Sequence, residues 1–416
     1  MQAEIITIGD ELLIGQVIDS NSAWIAEQLN MTGIRVVQIS SISDNRDQIT
    51  KTLGEALQRA DIVLTTGGLG PTKDDITKAA LCDFFETRLV FHQESFDNIE
   101  RIFVARGYPM TALNRAQAEV PECCTPMANR YGTAPGMLFE KEGRLVISMP
   151  GVPFEMKSLM QEQVIPRIRG LSHSSILHRT LLTHGVGESF LAARIEDFED
   201  ALPVHIKLAY LPQPGMVRLR LTASGPDFAE LKQELEKQAD ELYRLIPEYI
   251  FGENDDTLEE ITGKLLREKN FTLATAESCT GGYIAHLLTS VPGSSEYFKG
   301  SVVAYANEIK ENILGVSALT IQKYGAVSQE TVFEMAAGII RHFNTNCAIA
   351  VSGIAGPDGG TPEKPVGTTW ISVLSPMGAE TRMFTFGEHR GRNIRRAALA
   401  GLDMLRKQLM TQNSAS

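Results

Sequence analysis

The chain of 416 residues lacks most of what marks a secreted, membrane-bound or nucleic-acid-binding protein. It has five cysteines, Cys82, Cys123, Cys124, Cys279 and Cys347. Their number is odd, two are adjacent and no Cys-x-x-Cys pair occurs, so neither a disulfide framework nor a zinc site is expected. No apolar run approaches the roughly 18 residues that a membrane span requires. The opening Met1-Gln-Ala-Glu-Ile-Ile-Thr-Ile-Gly9 enters a strand without the basic leader and apolar core of a signal peptide. Positive charge is also short: 39 Lys and Arg against 51 Asp and Glu leave −12, spread without a long single-sign run. A chain so charged has no broad basic face for a phosphate backbone, and nucleic acid is not an expected partner. The expected protein is cytoplasmic, with no membrane partner. What it has in quantity is apolar sequence, 43% of residues, enough for full cores and, at this length, two or three domains.

Strands and helices alternate at short spacing from the start. Glu4–Ile8 reads as a strand leading into Gly9-Asp10-Glu11-Leu12, and residues 20–33 as a helix with Trp24, Ile25 and Leu29 on its apolar face. A strand at 34–39, a helix at 47–59 and a buried strand at 61–65 follow. The pattern predicts a parallel sheet covered on both faces. The third strand ends in Thr65-Thr-Gly-Gly-Leu-Gly-Pro-Thr-Lys-Asp-Asp-Ile-Thr77, with Gly67, Gly68 and Gly70 inside four positions. Such a turn into a helix lets backbone N–H groups approach a phosphate closely. Asp74 and Asp75 either favour the dipole of that helix or hold a divalent cation between themselves and the phosphate. Asp10, Glu11, Asp19 and Asn21 belong to the same carboxyl edge, where open α/β sheets bind ligands. Glu155, near a helix start after a strand at 145–148, either caps that helix or faces the same crevice.

From about residue 176 to 250 the texture turns to short β-rich runs around a segment at 187–198 and a charged helix at 227–245, a small α+β connector without a catalytic constellation. The acidic stretch Glu248–Asp256 reads as a boundary. Beyond it, Phe271-Thr-Leu-Ala-Thr-Ala-Glu-Ser-Cys-Thr-Gly-Gly-Tyr283 predicts strand, tight turn and helix, with Ser278 at the turn. A hydroxyl there either caps the helix, as Ser278 or Thr280 can, or stands exposed as a nucleophile with the Gly281-Gly282 N–H groups beside it. Two more strand ends deliver Tyr305-Ala-Asn-Glu-Ile-Lys310 and Ser352-Gly-Ile-Ala-Gly-Pro-Asp-Gly-Gly360. Asn307 is read as one helix cap, and Ser328 as a capping box for another. The domain's histidines, His286, His342 and His389, sit in or beside helices, so no Ser–His–acid triad emerges. Lys310, if desolvated, can serve as the base instead. Arg390 and Arg392 either hold a substrate phosphate or solvate the start of the last helix.

These motifs together resemble the CinA family, the competence/damage-inducible proteins, over nearly the full length. Thr275-Ala-Glu-Ser-Cys-Thr-Gly-Gly282, Tyr305–Lys310, Gly325-Ala-Val-Ser328, Ser352–Gly360 and Lys364-Pro-Val-Gly-Thr368 are similar, in order, to that family's nicotinamide mononucleotide (NMN) deamidase module. Gly9–Leu12, Asp19-Ser-Asn21 and Thr65–Asp75 resemble the domain shared with molybdopterin-cofactor biosynthesis proteins. The resemblance implies an α/β protein: a three-layer molybdopterin-biosynthesis-like domain at 1–170, an α+β connector at 171–252 and an α/β deamidase domain at 253–416. It implies a two-site hydrolase that deamidates NMN and, with a metal, splits ADP-ribose. Ser278 and Lys310 would be catalytic with Tyr305 assisting. Glu277, Thr280, Gly281, Gly282, Ser352, Gly353, Gly356 and Arg390 would bind one substrate, and Gly67, Gly68, Gly70 and Asn21 the other. Asp10, Glu11, Asp74 and Asp75 would hold a divalent metal, with a monovalent cation as an optional second ion. The C-terminal site needs no cofactor, and a homodimer is expected. The alternative is a non-catalytic protein binding nucleotide or pterin in a regulatory or scaffold role.

Overall fold

Alternation within single strands sets the layers of the N-terminal region. In the computed structural model, which describes residues 1–72, 74–171 and 175–410, Ala3 and Ile5 of the strand Gln2–Ile8 point to one core. Ile6 and Ile8 point to another. Ile62 and Leu64 of the strand Ile62–Thr66 join the first core and Val63 the second. Helices Ser20–Met31 and Pro153–Leu159 cover one face; Arg46–Arg59 and Thr77–Phe84 cover the other. The result is three layers around a sheet whose strands begin at residues 35, 2, 62, 144, 136 and 125 in spatial order.

The sheet is not wholly parallel, as the alternation predicted. Its first four strands are parallel, but Gly136–Lys141 and Thr125–Met127 add on antiparallel. The cause is local: Lys141 and Arg144 pair across a tight Glu142-Gly143 turn, a hairpin too short for a helical crossover.

By compactness the chain forms two units, Met1–Leu177 with Ala223–Glu234, and His178–Thr222 with Leu235–Ser416. The connector carries a four-stranded sheet of Ile206–Gln213, Met216–Gly225, Ser175–His184 and Ile250–Glu253. The acidic stretch read as a boundary thus contains an edge strand, because its Ile250 and Phe251 are buried. The segment at 187–198 breaks into two short helices, Glu188–Arg194 and Glu196–Asp200.

The C-terminal sheet orders its strands as Phe298–Val303, Leu273–Glu277, Cys347–Gly353, Thr368–Ser375 and Gly378–Thr385. Ala274, Ala276, Ala348 and Ala350 line one face, and Leu273, Ile349, Val351 and Ile371 the other. The small side chains let helix Gln329–Phe343 lie close. A Cβ at Gly338 would collide with the Leu314 carbonyl oxygen. Gly338→Ala is therefore expected to lower stability by about 1–3 kcal/mol, the usual range for overpacking. Urea unfolding measures it, and an unchanged midpoint would show that the helix has slack.

Packing at the other end of this unit centres on Asp403, which is 4% exposed. Its Oδ1 accepts from Arg406 Nε and Nη2 at 2.9 and 2.7 Å, and its Oδ2 lies 3.2 Å from His184 Nδ1 and 2.8 Å from Lys407 Nζ. Arg406, 1% exposed, also donates to the Ile250 carbonyl. Burial alone would raise the Asp403 carboxyl. His184, Arg406 and Lys407 outweigh it and hold the group well below the usual carboxylate range. No described helix is long and apolar enough to cross a membrane.

Candidate active site

The turn after the strand Leu273–Glu277 is built by its last residue. Glu277 is fully buried, and its carboxylate accepts from the N–H groups of Gly282, Ile284 and Ala285 at 3.1, 3.0 and 2.9 Å. It thereby satisfies the first turn of helix Tyr283–Ser290, where a negative charge is also favoured by the dipole. This decides between the two roles open to Ser278. Neither Ser278 nor Thr280 caps the helix, and Glu277 faces the helix end rather than a substrate.

Ser278 continues the ladder, its N–H donating to the Val351 carbonyl at 2.9 Å. Its Oγ lies 3.1 Å from Lys310 Nζ. Lys310 arrives on helix Asn307–Asn312 with 1% of its surface exposed. The same Nζ donates to the carbonyls of Ala304 at 2.7 Å and Tyr305 at 3.2 Å. Desolvation pushes its pKa down, opposed only by Cys279. Nζ thus has three acceptors, the Ser278 hydroxyl and two carbonyls; once the amine is deprotonated, its two N–H groups can stay on the carbonyls and its lone pair is left for the serine hydroxyl proton. The neighbouring Cys279 is no rival nucleophile, since burial pushes its thiol up to about 12.

The remaining residues of this site divide. Tyr305 is 62% exposed. Its backbone carbonyl engages Lys310, while its hydroxyl accepts from Arg390 Nη2 at 3.2 Å. Arg390 also donates through Nη1 to the Gly356 carbonyl at 2.8 Å, joining two loops at the rim. Ser352 is 1% exposed and donates its hydroxyl to the Ala326 carbonyl at 2.7 Å, so it positions a loop rather than a ligand. The N–H groups of Gly281 and Gly282 are already engaged, by the Ser278 carbonyl and Glu277. Among the described residues the free donors of the turn are the N–H groups of Cys279 and Thr280, neither of which makes a hydrogen bond, and the buried Thr280 hydroxyl, which has no partner. Gly353 packs against Cys279 and Thr369. Asn307 makes no capping bond, and Ser328 caps its helix through the Thr331 N–H without the acidic or amide partner of a box.

Lys364 is a residue that sequence reasoning passed over. It donates to the Tyr324 and Val327 carbonyls at 2.9 and 2.7 Å and so fixes the Gly325-Ala-Val loop against which Ser352 is held. Its only signal was membership in the Lys364-Pro-Val-Gly-Thr368 run.

In the N-terminal region Gly67 needs to be glycine. Its φ is +119°, and a Cβ would collide with the Ile8 carbonyl oxygen, because the turn crosses directly over the end of the first strand. Asn21 donates to the Gly151 carbonyl at 2.8 Å and to Thr66 Oγ1 at 3.3 Å, leaving its buried Oδ1 unpartnered. Asp19 caps helix Ser20–Met31 through the Ser22 N–H. Asp75 is drawn into the loop, accepting from the Gly70 and Thr72 N–H groups at 2.7 and 2.8 Å and from the Thr72 hydroxyl. Asp74 stands exposed beside it, and Lys73 lies outside the described residues. Glu155 neither caps its helix nor meets these carboxylates; it accepts from Asn129 Nδ2 at 2.7 Å and steadies the Asn129–Gly132 loop.

The residue missed here is Asp44, which accepts from the Asp10 N–H at 3.2 Å. Its carboxyl is raised by burial and by the charges of Asp10, Glu11 and Asp75, which outweigh the Asp10 bond. Carboxylates crowded in this way suit a hard cation in chemistry. In geometry, however, no group of three or more His, Cys, Asp or Glu side chains among the described residues is placed to hold a metal ion.

Comparison with known proteins divides the chain into three matches. Residues 4–170 match the probable molybdopterin binding domain family, 178–252 the damage-inducible protein CinA KH domain and 255–409 the CinA C-terminal domain. Over full length the chain is similar to a CinA-like protein of Cytophaga hutchinsonii, 50% identical over 408 residues and covering 98% of each chain. It is 47% identical to a CinA-like protein of Flavobacterium psychrophilum, covering 100% of each. A crystal structure of competence/damage inducible protein CihA from Agrobacterium tumefaciens is 35% identical, covering 36% of this chain and 94% of that one with a TM-score of 0.35.

Proposed function

The chain belongs to the CinA family, and on that premise we propose that its C-terminal domain is an amidohydrolase acting on nicotinamide mononucleotide. The observation that carries this reading is the buried Lys310 amine, 3.1 Å from Ser278 Oγ with two carbonyls as its other partners. Ser278 Oγ attacks the carboxamide carbon while Lys310 Nζ takes the hydroxyl proton. The N–H groups of Cys279 and Thr280, left without acceptors in the turn, are the donors available to the developing oxyanion in place of the engaged glycine donors. The tetrahedral intermediate collapses, Lys310 returns the proton to the leaving nitrogen, and ammonia departs. Water, activated by the same amine, then releases nicotinate mononucleotide and restores Ser278. Arg390 and Tyr305 at the rim would meet the nucleotide.

The sign of the pH dependence follows from Lys310. Only the neutral amine accepts a proton, and desolvation lowers its pKa from 10.5. Ammonia release from NMN is therefore expected to rise with pH through this lowered value and to level off above it. A rate that falls as pH rises through the neutral range would remove Lys310 as the base.

The proposal for the N-terminal domain is metal-dependent hydrolysis of ADP-ribose to AMP and ribose 5-phosphate, in a cytoplasmic homodimer. It is supported by the glycine turn at Gly67 and Gly68 and by oxygen donors from Asp10, Glu11 and Asp44 beside it. A divalent ion, when bound, would neutralise the pyrophosphate. The residues as they stand supply hard donors without a closed coordination set. AMP formation from ADP-ribose is expected to stop in excess chelator and return with added divalent metal. Turnover indifferent to chelator would eliminate the metal. Tight pterin binding without turnover would favour the non-catalytic alternative.

A further inference from the structure

The connector has a relation to the C-terminal domain that its family description does not convey. The segment matched as a KH domain contains no Gly-x-x-Gly, the loop by which such domains clamp a nucleic-acid backbone, and has eight basic against twelve acidic residues. What it does have is a hairpin, Ile206–Gln213 and Met216–Gly225, whose tip lies within the same compact unit as the last helix, Arg390–Met410. A Cβ on Gly215 would lie 3.6 Å from Arg396 Cγ.

Between the tip and the helix is a cavity of about 500 Å³, a size ordinary for small-molecule sites. Pro212, Gln213 and Pro214 form one wall. The other carries His389, Arg392 and Arg396, with Glu388 as its one carboxylate. Arg396 is aimed by donating to the Phe386 carbonyl at 2.8 Å. Arg392 is exposed, and among the described residues its guanidinium has no partner. At the helix side is Asn393, 2% exposed. Its Nδ2 donates to the Ala355 and Gly387 carbonyls at 3.0 and 2.8 Å, while its Oδ1 has no partner. Two guanidiniums and a helix N-terminus favour a dianion, and an orphaned amide oxygen favours a hydroxyl donor.

We propose that the connector hairpin and the start of the last helix form a binding site for a sugar phosphate, distinct from the Ser278 centre and adjoining it. The two adjoin through Arg390, which is flanked in sequence by the cavity residues His389 and Arg392 and reaches the other way to Tyr305 and Gly356. Occupancy of the cavity would set the start of the helix and with it the reach of Arg390.

The test is calorimetric titration of the full chain with ribose 5-phosphate, which needs no deamidase activity. Saturable binding is expected, weakened at least tenfold by Arg392→Gln and again by Gln213→Glu, two exposed positions where the fold tolerates change. Arg390→Gln is expected to leave the affinity within threefold. Absence of saturable binding overturns the proposal. So does affinity that survives both Arg392→Gln and Gln213→Glu, or that disappears only with Arg390→Gln, which would place the anion in the Ser278 site.

Discussion

Replacing Ser278 by Ala, or Lys310 by Met, is expected to reduce ammonia release from NMN at least about a thousandfold, the scale on which members of a catalytic unit act. The two residues share one proton, so the double variant should be scarcely worse than either single one; independent contributions would multiply instead. Lys310→Met keeps a long unbranched side chain in a position 1% exposed, so its loss of activity reports the amine rather than a cavity. Folding is checked separately by thermal melting. A rate within tenfold of the parent in either variant, from a folded protein, would sink the dyad. Glu277 stands apart from this pair. It touches no reacting atom, but three N–H groups of the turn converge on it, so Ser278 is aimed by a carboxylate that is itself never seen by substrate.

The second large effect concerns stability. Asp403→Ala leaves Arg406, buried and 2.7 Å from the missing carboxylate, with only the Ile250 carbonyl and Met410 sulfur as partners among the described residues. Removing one member of a buried ion pair costs about 3–5 kcal/mol, and the half-exposed Lys407 adds little. The melting transition of the C-terminal unit should fall by roughly 6–20 °C. In the parent, the Asp403 carboxyl has a lower pKa folded than unfolded. Its stabilisation is thus complete above the unfolded value of ~3.9 and disappears as pH falls through the folded one. The gap between parent and Asp403→Asn should accordingly be largest near neutrality and narrow in acid. A gap that widens on acidification would mean that the carboxyl is not the charged partner it is taken to be.

Much of the architecture was legible because local periodicity and tertiary burial agree where strands are central. Ile62–Thr66 and Cys347–Gly353 are buried almost throughout and read as strands from their apolar runs alone. Agreement failed where a partner far along the chain decided the matter. The edge strand inside Glu248–Asp256 depends on pairing with Ser175–His184, which no window of sequence contains. Asp44 lies outside every motif and joins the carboxylates of Asp10 and Glu11 only because two strands run side by side.

The catalytic stretch shows the same division at the scale of single atoms. Sequence by itself determined that Ser278 sits at a strand-to-helix turn, that the C-terminal domain has no histidine placed to serve it, and that Lys310 follows another strand end. Only the tertiary structure decided that Glu277 rather than a hydroxyl caps the helix, which frees Ser278. It also decided that Lys310 is desolvated with no carboxylate beside it among the described residues, and that the N–H groups of Gly281 and Gly282 are engaged while those of Cys279 and Thr280 are not. Spacing along the chain places residues on elements, whereas protonation and hydrogen-bond satisfaction depend on what surrounds each atom in three dimensions, and neighbours 26 to 32 positions away supply that surrounding.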